Sequence, residues 1–328
     1  MQATLQLKAP FPWFGGKSRA SELVWQRFGA VRNYVEPFAG SLAVLLGRPG
    51  TITGPETVND LDGLLVNFWR ATRAAPDLVA VAADWPVSEL DLHARHSVLV
   101  ESRGLLTERL QADPDYFDVK LAGWWVWGAC AWIGGGWCSG KGPWQRIETE
   151  DGLRLMKADR NAGTGIKRKL PHLGDGGTGI NRQLPHLGDG GKGDWLASLA
   201  RRLRPVRIAC GDWSRVLGPS VTTKHGITAV LLDPPYNDED AENDCYGIAH
   251  SNVADDVRAW AVANGNDPLL RIALCGYGEG YDMPEGWWCE SWKARKGYQS
   301  DNENSQRERI WFNKSCIKPI QGLFDSKF

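Results

Sequence analysis

The chain has 328 residues and a formal net charge of −1, a length that holds one large domain and an insert. A net charge this close to zero excludes a uniformly basic protein, so any surface that binds nucleic acid must be local. The N-terminus has no basic-then-apolar leader, no apolar run is long enough to span a membrane, and seven scattered cysteines form no CxxC pair. These features predict a cytoplasmic protein with reduced, mostly buried thiols and no membrane partner.

The chain begins with alternating helices and strands. From the spacing of apolar residues we predict a helix over residues 18–29, a strand over 33–36, a helix over 42–46, a strand that ends at Asn59 and a helix over 61–74. This alternation stops between residues 75 and 204, where a helix is predicted over 117–133. Six tryptophans lie close together there, and we expect most of them in the core and a minority as stacking surfaces; they are Trp124, Trp125, Trp127, Trp132, Trp137 and Trp144.

A tandem repeat follows in this middle region. Residues 164–177 recur as residues 178–191, which indicates the duplication of one loop rather than a solenoid. Between residues 154 and 207, twelve Lys and Arg face four Asp, so this window is basic. It is either a surface that holds phosphates or a solvated loop.

The last third returns to alternation. The predicted elements are strands over 205–210 and 228–233, a helix over 253–264 and strands over 269–275 and 309–313. The whole pattern predicts an α/β fold whose mostly parallel sheet has helices on both faces. Asp233-Pro234-Pro235-Tyr236 ends a buried strand, at the edge where open α/β sheets bind ligands. The same tetrapeptide is also compatible with a simple strand-ending turn.

Two further segments carry chemistry. Residues 10–17 contain Trp13 and Lys17, and residues 36–41 (Glu-Pro-Phe-Ala-Gly-Ser) lead into an apolar helix, with Asp60 about twenty residues later. A nucleoside cofactor site has the same order of features: an acid, a glycine turn, a helix, a strand and a second acid. In such a site the backbone N–H groups of the turn approach the ligand, and the second acid binds the ribose hydroxyls. A phosphate loop at residues 15–18 is excluded because its first glycine is replaced by Phe11.

Taken in this order, the three segments resemble the Dam-like DNA adenine-N6 methyltransferases, over residues 10–72 and 205–314. The resemblance implies a Rossmann-like, S-adenosylmethionine-dependent methyltransferase fold with an inserted target-recognition domain. Residues 1–74 and 205–328 would form the catalytic domain, and residues 75–204 the insert. With no nuclease-like segment in the chain, we expect a stand-alone enzyme of phage or prophage type, which either protects DNA from restriction or mimics host methylation.

The resemblance also assigns the cofactor site. Trp13 and Lys17 are placed at the methionine end of S-adenosylmethionine, Asp60 at its ribose, and Asp212 with Trp213 at its adenine. The full expected set is Trp13, Lys17, Glu36, Phe38, Ala39, Gly40, Asp60, Asp212 and Trp213. Structural alternatives are a core position for Trp13, a solvated cation for Lys17 and a helix cap for Asp212. Leu42 stands where many relatives have a second glycine, so the backbone approach there is expected to differ.

The catalytic residues implied by the resemblance are Asp233, Pro234, Pro235 and Tyr236. The Asp233 carboxylate and the Pro234 carbonyl would accept the two hydrogens of a flipped adenine N6, and Tyr236 would stack on the base. The expected partner is double-stranded DNA, held through Lys167, Arg168, Lys169 and Arg182. No metal and no obligate protein partner are expected. Five acids within residues 238–244 suggest a mobile lid as a hypothesis.

Three alternatives stay open at this point: transfer to cytosine N4, transfer to an RNA adenine, and a catalytically silent relative that binds DNA. An aspartate at the first motif position and the Dam-like order favour adenine in DNA.

Overall fold

The computed structural model describes residues 7–13, 16–132, 137–138, 144–149, 152–157, 193–235, 253–277, 281–292 and 308–319. The strands in these ranges are β1 Asn33–Glu36, β2 Glu56–Asp60, β3 Trp144–Thr149, β4 Gly152–Lys157, β5 Val206–Cys210, β6 Thr228–Leu232, β7 Leu270–Tyr277, β8 Trp288–Ser291 and β9 Glu308–Phe312. The helices are α1 Ser21–Phe28, α2 Ala43–Leu46, α3 Gly63–Ala74, α4 Pro76–Ala83, α5 Glu89–Ala112, α6 Val119–Ala131, α7 Gly193–Leu203 and α8 Val253–Asn264. Short 3₁₀ turns cover Lys17–Arg19, Trp213–Val216 and Thr223–His225.

Seven strands form one sheet in the order β5-β2-β1-β6-β7-β9-β8. The first five are parallel, and β9 is antiparallel to both β7 and β8. β1, β2 and β5 follow one another toward one edge of the sheet, and β6 and β7 follow one another toward the other edge. The order of the strands therefore reverses between β1 and β6, as it does in doubly wound folds. The fold is a mixed α/β fold compatible with a Rossmann-like arrangement. Strands β3 and β4 form a separate antiparallel hairpin.

The central strands are buried because helices cover both faces of the sheet. All five residues of β6 are buried, and so are all four of β1. One face carries a core shared by α1, α3 and β1, with Tyr34 and Trp69 fully buried. The other face packs Val230 and Leu274 against α8. β6 therefore reads as a nearly continuous apolar run in the sequence, whereas β1 is buried although it carries Asn33 and Glu36 at its ends.

The described helices of the inserted region extend the first of these cores. α4, α5 and α6 pack beside α3, and α7 packs against both α3 and α4. Leu99, Trp127 and Leu199 lie in the same apolar cluster as Trp69. Residues 76–131 and 193–203 therefore continue the sheet domain, and a separate recognition domain stays a prediction for the rest of residues 75–204. Within the described ranges, no helix has both the length and the apolar composition to cross a membrane.

Helix ends follow ordinary capping chemistry. Asp62 accepts a hydrogen bond from the N–H of Leu64 at the start of α3, and Ser88 and Asp118 cap α5 and α6 in the same way. A buried ion pair ties α7 to the sheet: Glu56 is 1% exposed and lies 2.6 Å from Arg202 and 3.0 Å from Arg48. Of the two arginines in the last turn of α7, Arg202 is thus used inside the fold, whereas Arg201 is exposed.

Most predicted elements are confirmed, with shifted ends. β1 and α8 match the predictions at both ends. The helix predicted over 18–29 is divided into a 3₁₀ turn and α1, and α2 begins at Ala43 because Leu42 has a left-handed φ of 55°. The helix predicted over 117–133 runs over Val119–Ala131. The hairpin β3–β4 and the edge strand β8 were not predicted.

The tryptophans and cysteines of the described ranges behave largely as expected. Trp125, Trp127 and Trp132 are buried, whereas Trp124 and Trp137 are partly buried. Five described cysteines are buried, and Cys289 is exposed.

Candidate cofactor and substrate site

The candidate site lies where the order of the sheet reverses. Glu36 ends β1, Asp60 ends β2, and Asp233 follows the last residue of β6. β1 pairs in parallel with both β2 and β6, so the three acids come to the same edge of the sheet. This is the edge at which open α/β sheets bind their ligands.

The glycine turn after β1 is held by hydrogen bonds to the neighbouring strand. The N–H of Gly40 donates to Oδ2 of Asp60 at 3.1 Å, and the N–H of Asp62 donates to Oδ1 at 3.0 Å. Gly40 has a φ of +45°, a conformation that glycine adopts at little cost. The carbonyl of Gly40 accepts a hydrogen bond from the Trp69 indole at 3.0 Å. The turn is therefore rigid, and both Asp60 oxygens already accept one N–H each.

Asn59 joins two turns that sequence reasoning treated separately. Its side-chain amide donates to the carbonyl of Pro37 at 3.1 Å and to that of Gly211 at 2.9 Å. The Ala39 N–H donates in turn to the Asn59 carbonyl at 2.8 Å. In the sequence Asn59 was predicted only as the end of a strand, and its bridging role depends on the pairing of β2 with β5.

Phe38 and Trp213 meet across these two turns. Their rings are stacked, with centroids 6.3 Å apart and an angle of 24° between the planes. Asp212 beside them caps the 3₁₀ turn: its Oδ1 accepts from the N–H of Ser214 at 2.9 Å and from the Ser214 hydroxyl. The capping alternative for Asp212 is therefore confirmed, and its contact with a cofactor stays a prediction.

Lys17 is not a solvated cation. Its side chain is 4% exposed, and Nζ lies 2.9 Å from Oδ1 of Asp233 and 3.7 Å from Oε2 of Glu308. The ammonium also lies 5.6 Å from the ring centre of Trp292. Burial disfavours the ammonium, but Asp233 and Glu308 outweigh it, so the pKa of Lys17 is raised above its usual value. The segment before α1 is thus tied to the end of β6 by charge.

Asp233, Pro234 and Pro235 end β6 as predicted. The Asp233 side chain keeps 23% of its surface exposed, whereas Pro234 is buried and Pro235 partly buried. The thiol of Cys275 on β7 faces Asp233. Asp233 and Glu308 are both acids that contact Lys17. Asp233 is therefore the one of the two that a substrate can reach.

Several predicted residues fall outside the described ranges. These are Tyr236, the four cations Lys167, Arg168, Lys169 and Arg182, the repeat at 164–191 and the acidic residues 238–244.

Three acids at this edge, Asp60, Glu36 and Glu308, hold protons unusually well. Burial raises the pKa of Asp60 to about 6, although the N–H groups of Asp62 and Gly40 donate to its carboxylate and oppose the rise. Burial also raises the pKa of Glu36 well above its usual value, although the Tyr34 hydroxyl donates to Glu36 at 3.0 Å. Burial and the nearby Asp233 raise the pKa of Glu308 to about 7, although the Lys17 ammonium opposes the rise. A cationic ligand placed at this edge would favour the ionised forms of these carboxyl groups and would lower their pKa values.

Glu308 and Trp292 were missed by the sequence reasoning. Glu308 is the first residue of β9 and pairs with Tyr277, the last of β7, which brings it to the same edge as Asp233. An acid before a short apolar strand carries no local signal of such a contact.

Two open clefts lie elsewhere. One of about 430 Å³ is lined by Arg258 and Asp282, and one of about 410 Å³ by Arg70 and Arg207. Neither is lined by the acids of the candidate site. The guanidinium of Arg70 donates to three backbone carbonyls, so it is occupied within the fold. We assign no function to either cleft.

No three His, Cys, Asp or Glu side chains within the described ranges are grouped so as to hold a metal ion. His96 lies inside the fold, stacked on Trp132 with its Nδ1 accepting from the N–H of Cys138 at 3.2 Å.

Comparison with protein-family models gives no match for this chain, and comparison with curated proteins gives none either.

Proposed function

We propose that the chain is a DNA methyltransferase that transfers a methyl group from S-adenosylmethionine to N6 of a flipped adenine. One observation carries the proposal: Asp233-Pro234, at the end of β6, lies beside the Gly40 turn that ends β1, with Lys17 bound to Asp233. An acceptor site for an exocyclic amine thus adjoins a nucleoside-type turn at the reversal point of the sheet. The resemblance of the three motifs to Dam-like enzymes supports the same chemistry.

The carboxyl groups at this edge support the cofactor. S-adenosylmethionine is cationic at its sulfonium and its ammonium, and either cation would favour the ionised form of the buried carboxyl groups beside it. Asp60 would bind the ribose through the acceptor capacity left on its two oxygens. The stacked Phe38 and Trp213 would present aromatic surface to the adenine of the cofactor. When bound, S-adenosylmethionine supplies a methyl group already activated by its sulfonium.

Asp233 and Pro234 would orient the acceptor nitrogen. Adenine N6 is a weak nucleophile because its lone pair is delocalised into the ring. A carboxylate and a carbonyl that accept its two hydrogens favour a pyramidal nitrogen, and both hydrogen bonds strengthen as positive charge grows on N6. Lys17 holds Oδ1 of Asp233 in place at 2.9 Å. The protein thus contributes position and charge rather than a covalent intermediate.

The remaining assignments concern DNA. The target base must leave the helix before N6 can approach the cofactor. Tyr236 would stack on the flipped base, an interaction of about 1–3 kcal/mol. Lys167, Arg168, Lys169 and Arg182 would hold backbone phosphates and set the position of the insert on the duplex.

The decisive experiment is expression in cells that lack adenine methylation, followed by single-molecule sequencing of the genome. We expect N6-methyladenine confined to one short motif with the wild-type protein, and none with the matched Asp233→Ala variant. N4-methylcytosine instead would contradict the choice of base. A protein that binds S-adenosylmethionine in calorimetry but leaves genomic DNA unmarked would direct attention to RNA. Absence of both binding and modification would leave the silent DNA-binding alternative.

A further inference from the structure

Glu308 contributes a second carboxylate to the ammonium that holds Asp233. It begins β9, opposite Tyr277 at the end of β7, and is 3% exposed. Its Oε2 lies 3.7 Å from Nζ of Lys17 and is buried without a hydrogen-bond donor. The closer contact of Lys17 is with Asp233, at 2.9 Å. Two carboxylates therefore share one buried ammonium, and they share it unequally.

This arrangement costs stability. Burying a carboxylate whose oxygen lacks a donor costs free energy, and an apolar residue of similar size in the same place would avoid that cost. A lysine ammonium has three donors and a flexible stem, so one carboxylate alone fixes its direction poorly. A second carboxylate, on a different strand, restricts the ammonium to the space between β6 and β9.

We propose that Glu308 is a positioning residue for methyl transfer: through Lys17 it fixes the carboxylate of Asp233 in the orientation that receives the substrate amine. The inference rests on the proposed function and adds a residue that the motifs do not contain. Glu308 itself does not touch the substrate, because it is closed to solvent while Asp233 keeps 23% of its side chain exposed.

The position of Glu308 beside Lys17 should make the rate of methyl transfer depend on pH. Three groups face the Glu308 carboxyl: Lys17 from the 3₁₀ turn, Asp233 after β6 and Cys275 on β7. Burial raises the pKa of the Cys275 thiol well above its usual value, so that group stays neutral. The carboxyl of Glu308, with a pKa of about 7, gains its proton as pH falls through neutrality, and Lys17 then keeps one charged anchor. The rate of transfer should therefore rise with pH through this region.

The test compares wild type with Glu308→Gln, which keeps the shape and removes the charge. At saturating S-adenosylmethionine and DNA we expect kcat to fall about 10- to 100-fold, with the Kd for the cofactor changed less than about threefold. The rise of kcat with pH around 7 should disappear in Glu308→Gln and persist in Glu308→Asp. Glu285→Gln, at an exposed glutamate, is the matched control and should behave as wild type.

Two results would overturn the inference. In an active wild-type enzyme, a Glu308→Gln variant with unchanged kcat, or with the same rise in kcat around pH 7, would show that Glu308 only packs. If the wild-type protein transfers no methyl group, the proposed function fails on its own. The contact between Glu308 and Lys17 is then tested by ¹³C NMR titration of the Glu308 carboxyl. Its pKa should be higher in Lys17→Met than in wild type, and an unchanged pKa would refute the electrostatic coupling of the two residues.

Discussion

The indole of Trp13 closes over Gly40, so that a Cβ built on Gly40 would lie 2.7 Å from the indole Nε1. The same glycine has a φ of +45° and donates its N–H to Asp60. Trp13 was expected either at the cofactor or as plain core. It is partly buried, packed against Phe11 and against the turn, and so forms one wall of the candidate site.

Replacing Gly40 with alanine should weaken both the fold and cofactor binding. A left-handed alanine costs about 1 kcal/mol, and the contact with Trp13 adds to that cost by displacing the indole. Gly50→Ala is the matched control, since Gly50 has a φ of +75° but nothing within 4 Å of an added Cβ. Chemical denaturation and calorimetry with S-adenosylmethionine measure the two effects. Equal losses in the two variants would mean that the Trp13 contact contributes nothing.

Asp233→Ala should abolish methyl transfer while most DNA affinity remains. Asp233 contacts Lys17 and keeps 23% of its side chain exposed, so a substrate can reach it. Its removal takes away the hydrogen-bond acceptor for N6. DNA affinity depends mainly on phosphate contacts elsewhere. Methylation assays and fluorescence anisotropy separate the two quantities, with Asp282→Ala, at an exposed aspartate, as control. Turnover near the wild-type rate in Asp233→Ala would refute the proposed mechanism.

The parts of the fold that the sequence predicted have a local cause. β6 is an apolar run because both faces of a parallel sheet are covered, and Pro234 ends it because proline cannot continue the ladder. Asp60 was found through its distance from the glycine turn. Lys17 was found through the motif around it, although its burial and its bond to Asp233 follow from the packing of residues far apart in the chain.

The parts that were missed depend on which strands become neighbours. Glu308 reaches Lys17 because β9 runs antiparallel beside β7, and nothing within residues 308–312 indicates that pairing. β8 alternates between partly buried and exposed residues at the sheet edge, which is too weak a pattern to predict a strand. Trp125 and Trp127 were expected in a core, but α6 is apolar nearly all round, so its sequence did not indicate that this core is the one of the sheet domain.

Glu56→Ala should be strongly destabilising. Glu56 is 1% exposed and pairs with Arg48 and Arg202, so its removal leaves two buried guanidinium groups without their carboxylate. Loss of one partner of a buried pair costs about 3–5 kcal/mol. Chemical denaturation measures the change in the free energy of unfolding. The comparison is Glu290→Ala, which breaks the more exposed pair with Arg27 and should cost less, because water can reach both partners. Similar losses in both variants would contradict the importance of burial.

The contribution of Glu308 and Asp60 to the free energy of unfolding should fall as pH rises from about 5 to 8, the reverse of the usual behaviour of acids in ion pairs. Burial lowers the pKa of His96 to about 4, so His96 contributes in the opposite sense between about pH 4 and its usual value of 6.5. Glu308 and Asp60 have folded-state pKa values of about 7 and 6, raised above their usual values of 4.5 and 3.8. A raised carboxyl pKa means that the folded state binds more protons than the unfolded chain. This stability is full below the unfolded pKa and is lost as pH rises through the folded one. For Glu308 the loss is about 2–3 kcal/mol between pH 4.5 and 7. Urea denaturation at several pH values measures this loss as the difference in stability between wild type and Glu308→Gln, because glutamine does not ionise. A difference that does not fall with pH over this window would show that the Lys17 pair outweighs burial.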